Sequence, residues 1–251
     1  MTQKDDTFYV GYLPLPRALK GTITALMLVL FALVAFDAWL VATLQPEAGD
    51  GRWADTPTEF VGTLSRDPYP MLRVAKDGKV KTYVVISDEK RGAEAALENI
   101  PNGATIELKG YEIERAAVGM IQLAATSVTP TVAANIVMPV AEPPREIHGR
   151  ATVEGEIVDS KCWLGVMRPG EGHIHKACAS LCIRGGIPPM LVTRTEGVPS
   201  VMLLTLADGR AIPPEQILDY VADPVRLTGI VEKRGDLAVF KANLATLART
   251  H

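Results

Sequence analysis

All three cysteines and two of the four histidines of this 251-residue chain fall in one stretch, DSKCWLGVMRPGEGHIHKACASLCIRGGIPPM. Its candidate ligands are Cys162, His173, His175, Cys178 and Cys182, a C-x10-H-x-H-x2-C-x3-C array. Ala177–Arg184 has the composition of a short helix stopped by Gly185-Gly186. Extended back one turn, that helix carries His175, Cys178 and Cys182 at i, i+3 and i+7, on one face. Cys162 follows a strand-like run and precedes a Gly/Pro-rich loop, so it can fold over that face. Cys3His is a stable set for tetrahedral zinc. Copper is the other candidate, because soft sulfur ligands select Cu(I). Met167, Met190 and Met202 could add thioethers, although methionines so far apart are more often core filler. His173 fits a loop histidine better than a ligand and is kept as a fifth candidate.

A disulfide is the competing chemistry wherever the compartment is oxidising. On an intact helix Cys178 and Cys182 have Cβ atoms about 5–6 Å apart, against about 3.8 Å in a disulfide. A bridge would therefore run from Cys162 to Cys178 or Cys182 and staple the segment to the rest of the fold. Both chemistries require Cys162, His175, Cys178 and Cys182 to converge. Paired Rieske boxes, C-x-x-C and C-x-x-C-H are missing from the sequence. So are a nucleophile elbow and a phosphate loop, and nothing reads as an enzyme. A net charge of −3 gives no basic excess to attract nucleic acid.

The elements that must position the array are short and β-like. Phe60–Ser65, Met71–Ala75, Lys81–Ser87, Thr105–Arg115 and Met120–Val128 are strand-like, with helical composition over Glu89–Asn99. The order returns in Val153–Asp159, Met190–Arg194, Val201–Leu206, a short helix over Pro213–Val221, then Val225–Lys233 and Leu237–Leu247. ATIELKGYEIERAAVGMIQLAA echoes DPVRLTGIVEKRGDLAVFKANLA, which points to a tandem duplication. Strand–strand–strand–helix–strand–strand is the order of an OB-type five-stranded barrel. Gly110 and Gly229 suit barrel strands that bend sharply. The fold class expected is mainly β: an N-terminal transmembrane helix followed by two tandem OB-type five-stranded barrels. Gly62 and Gly110 are 48 residues apart, but Gly155 and Gly229 are 74 apart. The additional residues, 160–188, hold the cysteines.

One apolar run, Ile23–Leu44, is long enough to cross a bilayer and contains a single charge, Asp37. Arg17 and Lys20 precede it, and Glu47 and Asp50 follow. The positive-inside rule then places the N-terminus in the cytoplasm and the rest outside. The run is too long for a signal peptide and lacks a good cleavage site. The expected organisation is a tail 1–20, an anchor 21–44, a linker 45–57, a first barrel 58–130, a connector 131–146 and a second barrel 147–248. The location expected is a cytoplasmic (inner) membrane, with the C-terminal domains in the periplasm or outside the cell.

Residues Gly155–Cys162 (GEIVDSKC), His175-x2-Cys178-x3-Cys182 and Gly185 resemble a group of small exported bacterial OB-like domains with a G-x-V-x-D-x-x-C … H-x-x-C-x-x-x-C … G pattern. The likeness covers about 150–247 and implies an OB-type fold and export; that group has no assigned activity. Ile187-Pro188-Pro189 and the long loop before His173 depart from it. The anchor-plus-barrel plan is also similar to that of membrane-anchored OB-fold haem chaperones. Those use H-x-x-x-Y, and neither His173 nor His175 has a tyrosine four residues on. The function expected is an accessory protein of a membrane assembly, respiratory or redox, that binds zinc or copper through the Cys/His cluster beside a membrane-protein partner. The alternative is a structural or assembly subunit with a disulfide staple.

Overall fold

The computed structural model describes residues 17–44, 51–76, 78–116, 118–124, 131–132, 139–167 and 169–250. The chain forms two units, Met1–Glu47 and Ala48–His251. The first consists of helix α1, Arg17–Leu44, which is 28 residues long with a mean hydropathy of 2.4 over its apolar window. At about 1.5 Å per residue it is long enough for about 30 Å of hydrocarbon. Among the described residues it is the one helix of that length and apolarity. It begins at Arg17, so both basic residues expected to flank the anchor lie in its first turn.

The second unit is β structure in two related halves. In the first, β1 (Arg52–Trp53), β2 (Thr58–Ser65), β3 (Met71–Lys76), β4 (Lys79–Ile86), β5 (Thr105–Arg115), β6 (Val118–Leu123) and β7 (Thr131–Val132) form one sheet. Strand β2 pairs antiparallel with β3 and β5, β3 with β4, and β5 with β6; β4 and β6 run parallel. In the second, β8 (Arg145–Asp159), β9 (Pro189–Thr193), β10 (Val201–Leu206), β11 (Pro224–Arg234) and β12 (Leu237–Arg249) close into a five-stranded barrel. There β8 pairs antiparallel with β9 and β11, β9 with β10 and β11 with β12, while β10 and β12 run parallel. Strand for strand, β2–β6 and β8–β12 pair in the same way, and β1 and β7 are additions to β5 in the first half.

Apolar side chains alternate into three cores. One belongs to the first half, around Leu64, Tyr83, Ile106 and Ile121. A second fills the closed barrel, around Ile157, Leu191, Leu227 and Phe240. The third is shared: Met71, Ile86 and Met120 from the first half meet Trp163, Leu164, Met190 and Val239 from the second. Tyr69 fastens this seam, donating from its hydroxyl to the Leu204 carbonyl (2.9 Å) and accepting from the Ile212 N–H (3.1 Å).

Several local expectations change. Glu89–Asn99 is a series of turns, not a helix. Gly92 bridges to Ile86, and its N–H donates to Gly185 (2.9 Å), so tertiary contacts override the helical composition. Pro213–Val221 is two single turns, Pro214–Gln216 and Leu218–Tyr220. Strand β8 begins at Arg145, within the expected connector, because 145–150 pair with β11. Arg52 and Trp53, expected in the linker, pair with Glu114 and Ile113 of β5. The tail 1–16, 45–50 of the linker, 133–138 of the connector and 125–128 of the last strand expected in the first half lie outside the described residues.

Candidate metal centre

Strand β8 delivers Asp159 at its end, and the chain then enters a single wide turn over Cys162–Val166. The Cys162 N–H donates to Asp159 Oδ1 at 2.8 Å. A side-chain oxygen accepting from the N–H three residues on is the usual cap of a first helical turn, and here it fixes the backbone of Cys162. Trp163, the next residue, is held from the first half. The Arg115 guanidinium lies 4.1 Å from the centre of its ring and donates to its carbonyl at 2.6 Å.

The other two cysteines ride on α2, Lys176–Arg184, the helix expected from the sequence. It ends where Gly185-Gly186 required. Gly186 has φ +95°, and the Ile187 N–H returns to the Cys182 carbonyl at 3.0 Å, the 6→1 bond of a Schellman turn. Gly185 has a second use: a Cβ there would strike the Lys90 carbonyl. Only glycine lets the 88–92 loop of the first half lie against the helix end.

Three sulfurs meet. Cys162, Cys178 and Cys182 Sγ all lie within 4.8 Å of one another, and Cys162–Cys178 is 4.0 Å. Three thiolates on one tetrahedral ion, with bonds of about 2.3 Å, stand about 3.8 Å apart, so small side-chain rotations would complete such a set. No cysteine is in a disulfide. Cys162 and Cys182 are buried and Cys178 is half-buried. The sulfurs face a cleft of about 630 Å³, also lined by Trp53, Lys90, Lys161 and Met167.

His175 turns elsewhere. Its Nε2 lies 3.0 Å from Asp159 Oδ2, and since a carboxylate only accepts, that nitrogen donates. Asp159, Cys162 and His175 form a second group whose ligand atoms lie within 4.8 Å of one another, so Cys162 belongs to both groups. Cys162, His175, Cys178 and Cys182 thus gather in one place as two overlapping trios. His173 is 86% exposed, with Nδ1 3.6 Å from Asp223, outside both trios. Of the methionines, Met190 and Met202 are buried in the cores, while Met167 reaches the cleft.

Two lysines bring positive charge to the sulfurs. Lys90 Nζ is 2.8 Å from Cys178 Sγ and 3.6 Å from Cys182 Sγ, and the bond to Cys178 raises its pKa above the usual lysine value. Lys161 is 4% exposed and donates to the Glu89 carbonyl at 2.5 Å; burial lowers its pKa, against the pull of the sulfurs. The hydrogen bond between the Cys162 and Cys182 sulfurs pushes the Cys162 thiol far up, with burial adding to it. The same bond holds Cys182 down, opposed by burial and helped by Lys90.

Asp159, Lys90 and Lys161 were not among the ligand candidates. The D-x-x-C spacing carries the cap signal for Asp159, but no sequence pattern brings Lys90 across from the other half. No family model matches this chain, and neither a curated protein nor a solved structure shows significant similarity to it.

Proposed function

We propose that this chain is a membrane-anchored metal-binding protein in which Cys162, Cys178 and Cys182 hold a zinc or copper ion at the floor of a cleft. One observation carries the reading: three sulfurs, from the turn after β8 and from α2, within 4.8 Å of one another. Three thiolates leave one position of a tetrahedral ion open, or complete a trigonal Cu(I) site. Lys90 and Lys161 offset the negative charge of the thiolates. In this reading α1 anchors the chain with its N-terminus in the cytoplasm, and the two halves are tandem OB-type barrels on the outer face. The matching pairings of β2–β6 and β8–β12 support the duplication. The protein would serve as an accessory subunit of a membrane assembly, respiratory or redox, presenting its ion to a membrane-protein partner.

Metal analysis and a thiol count on the full-length, detergent-extracted protein, purified without chelator, test the proposal. At least one zinc or copper ion per chain is expected, with the three thiols blocked from a colorimetric thiol reagent until a chelator is added. A metal-free protein with a single reactive thiol would overturn the reading in favour of a Cys162–Cys178 staple.

A further inference from the structure

We infer that the centre takes two metal ions bridged by the Cys162 thiolate, the second held by Asp159, Cys162 and His175. The inference rests on the metal-binding reading above and adds a site to it. Cys162 Sγ lies within 4.8 Å of the sulfurs of Cys178 and Cys182, and also within 4.8 Å of ligand atoms of Asp159 and His175, so it is common to both trios. A thiolate has lone pairs for two ions. With each bond about 2.3 Å, the two ions stand at most about 4.6 Å apart.

The geometry of the second trio suits ligation. Two N/O ligands on a tetrahedral ion, with bonds of about 2.0–2.1 Å, stand about 3.3–3.4 Å apart. His175 Nε2 and Asp159 Oδ2 are 3.0 Å apart. Asp159 Oδ1 is committed to the Cys162 N–H, so the carboxylate turns a single oxygen to the trio, in the way outer hydrogen bonds orient a ligand. Asp159, Cys162 and His175 are 0%, 4% and 3% exposed, so water offers little competition there. A mixed N/O/S set suits a borderline divalent ion such as Zn²⁺ or Co²⁺ better than a hard one. On binding, His175 changes tautomer, its proton passing through solvent from Nε2 to Nδ1, so that Nε2 ligates as a neutral imidazole and the ion takes the place of the proton between the two side chains. Two divalent ions balance the three thiolates and one carboxylate. Of the second trio only Cys162 borders the cleft, so the second ion enters past the sulfurs.

Cobalt titration of the full-length protein in detergent, under anaerobic conditions, tests this. After desalting, metal analysis should give two Co²⁺ per chain. Thiolate-to-cobalt charge-transfer absorbance should develop mainly with the first equivalent. The electron paramagnetic resonance signal per cobalt should fall as the second enters, because a shared thiolate couples the two spins. His175→Ala should retain one cobalt and its charge-transfer bands. A single cobalt in the unaltered protein overturns the inference and leaves the three-cysteine site standing, as do two uncoupled cobalt ions. Two ions retained in His175→Ala also overturn it. No cobalt at all removes both sites.

Discussion

The two halves of the β unit share a set of pairings and differ most in one connection. Between β2 and β3 the chain needs only residues 66–70; between β8 and β9 it spends 160–188. The short link sends one aromatic, Tyr69, into the shared core. The long one sends Trp163, Leu164, Cys182 and Ile187 there, and Ala179 and Ile183 into the barrel core. The long link is therefore both the carrier of the sulfur cluster and a wedge between the halves. A ring of strands tolerates a long excursion at a link, because its ladder bonds are made on either side of the excursion.

Removing the wedge should have the largest effect. Leu164 is fully buried in the shared core. Leu164→Ala should cost about 2–5 kcal/mol, the range for a buried leucine leaving a cavity. Its counterpart in the short link, Tyr69→Phe, should cost about 1–3 kcal/mol by stranding Leu204 O and Ile212 N–H. Denaturant melts of both variants measure this. A near-neutral Leu164→Ala would show that the insertion merely rests on the fold.

The equivalence of the halves can be tested at matched glycines. A Cβ at Gly110 would sit 2.5 Å from the Gln122 carbonyl, and one at Gly229 would sit 2.5 Å from the Lys241 carbonyl. Gly110→Ala and Gly229→Ala should each cost about 1–3 kcal/mol, since backbone cannot move aside cheaply. Thermal melts should rank them together. A large cost in one half and none in the other would break the comparison.

How much of this was legible depended on whether the signal was local. Cysteine spacing, helix α2 and its glycine stop are sequence-local and could be read directly. The first eight residues of β8 were not, because 145–152 carry mostly exposed side chains. Without a buried face there is no period-two apolar pattern to read. The composition of Glu89–Asn99 favours a helix, yet Gly92 is used in a backbone bridge and in the bond to Gly185. His175 shares a helix face with the cysteines by spacing, but its ring is turned to Asp159 by a hydrogen bond that spacing alone does not encode.

Asp159→Asn should have a smaller effect that separates positioning from packing. The amide can keep its oxygen on the Cys162 N–H only by turning its NH2 towards His175, which must then accept. Affinity for the ion on the three cysteines should fall about 10–100-fold, because towards that ion Asp159 acts only as an outer support of Cys162, with far less loss of stability than Leu164→Ala. Competition against a chelator of known affinity reads this out. Unchanged affinity would make Asp159 a turn cap and nothing more.

The smallest expected effect belongs to Lys90, the first half's contribution to the second half's site. Its ammonium is exposed, so solvent screens it and the fold should not depend on it. The thiols should. Cys182 is held down first by the bond from Cys162 and then by Lys90, so removing the cation lifts only part of that depression. A thiol whose pKa rises has less thiolate at a given pH and reacts more slowly. In chelator-treated Lys90→Met protein, the pH profile of Cys182 modification by a small methanethiosulfonate should therefore move to higher pH, with the melt unchanged. Cys182 is buried, so the rate at the high-pH plateau serves as the control for access: it should be the same in both proteins. A lowered plateau would mean that Lys90→Met closed the cleft. An unmoved profile with an equal plateau would mean that the first half lends the site a surface and no charge.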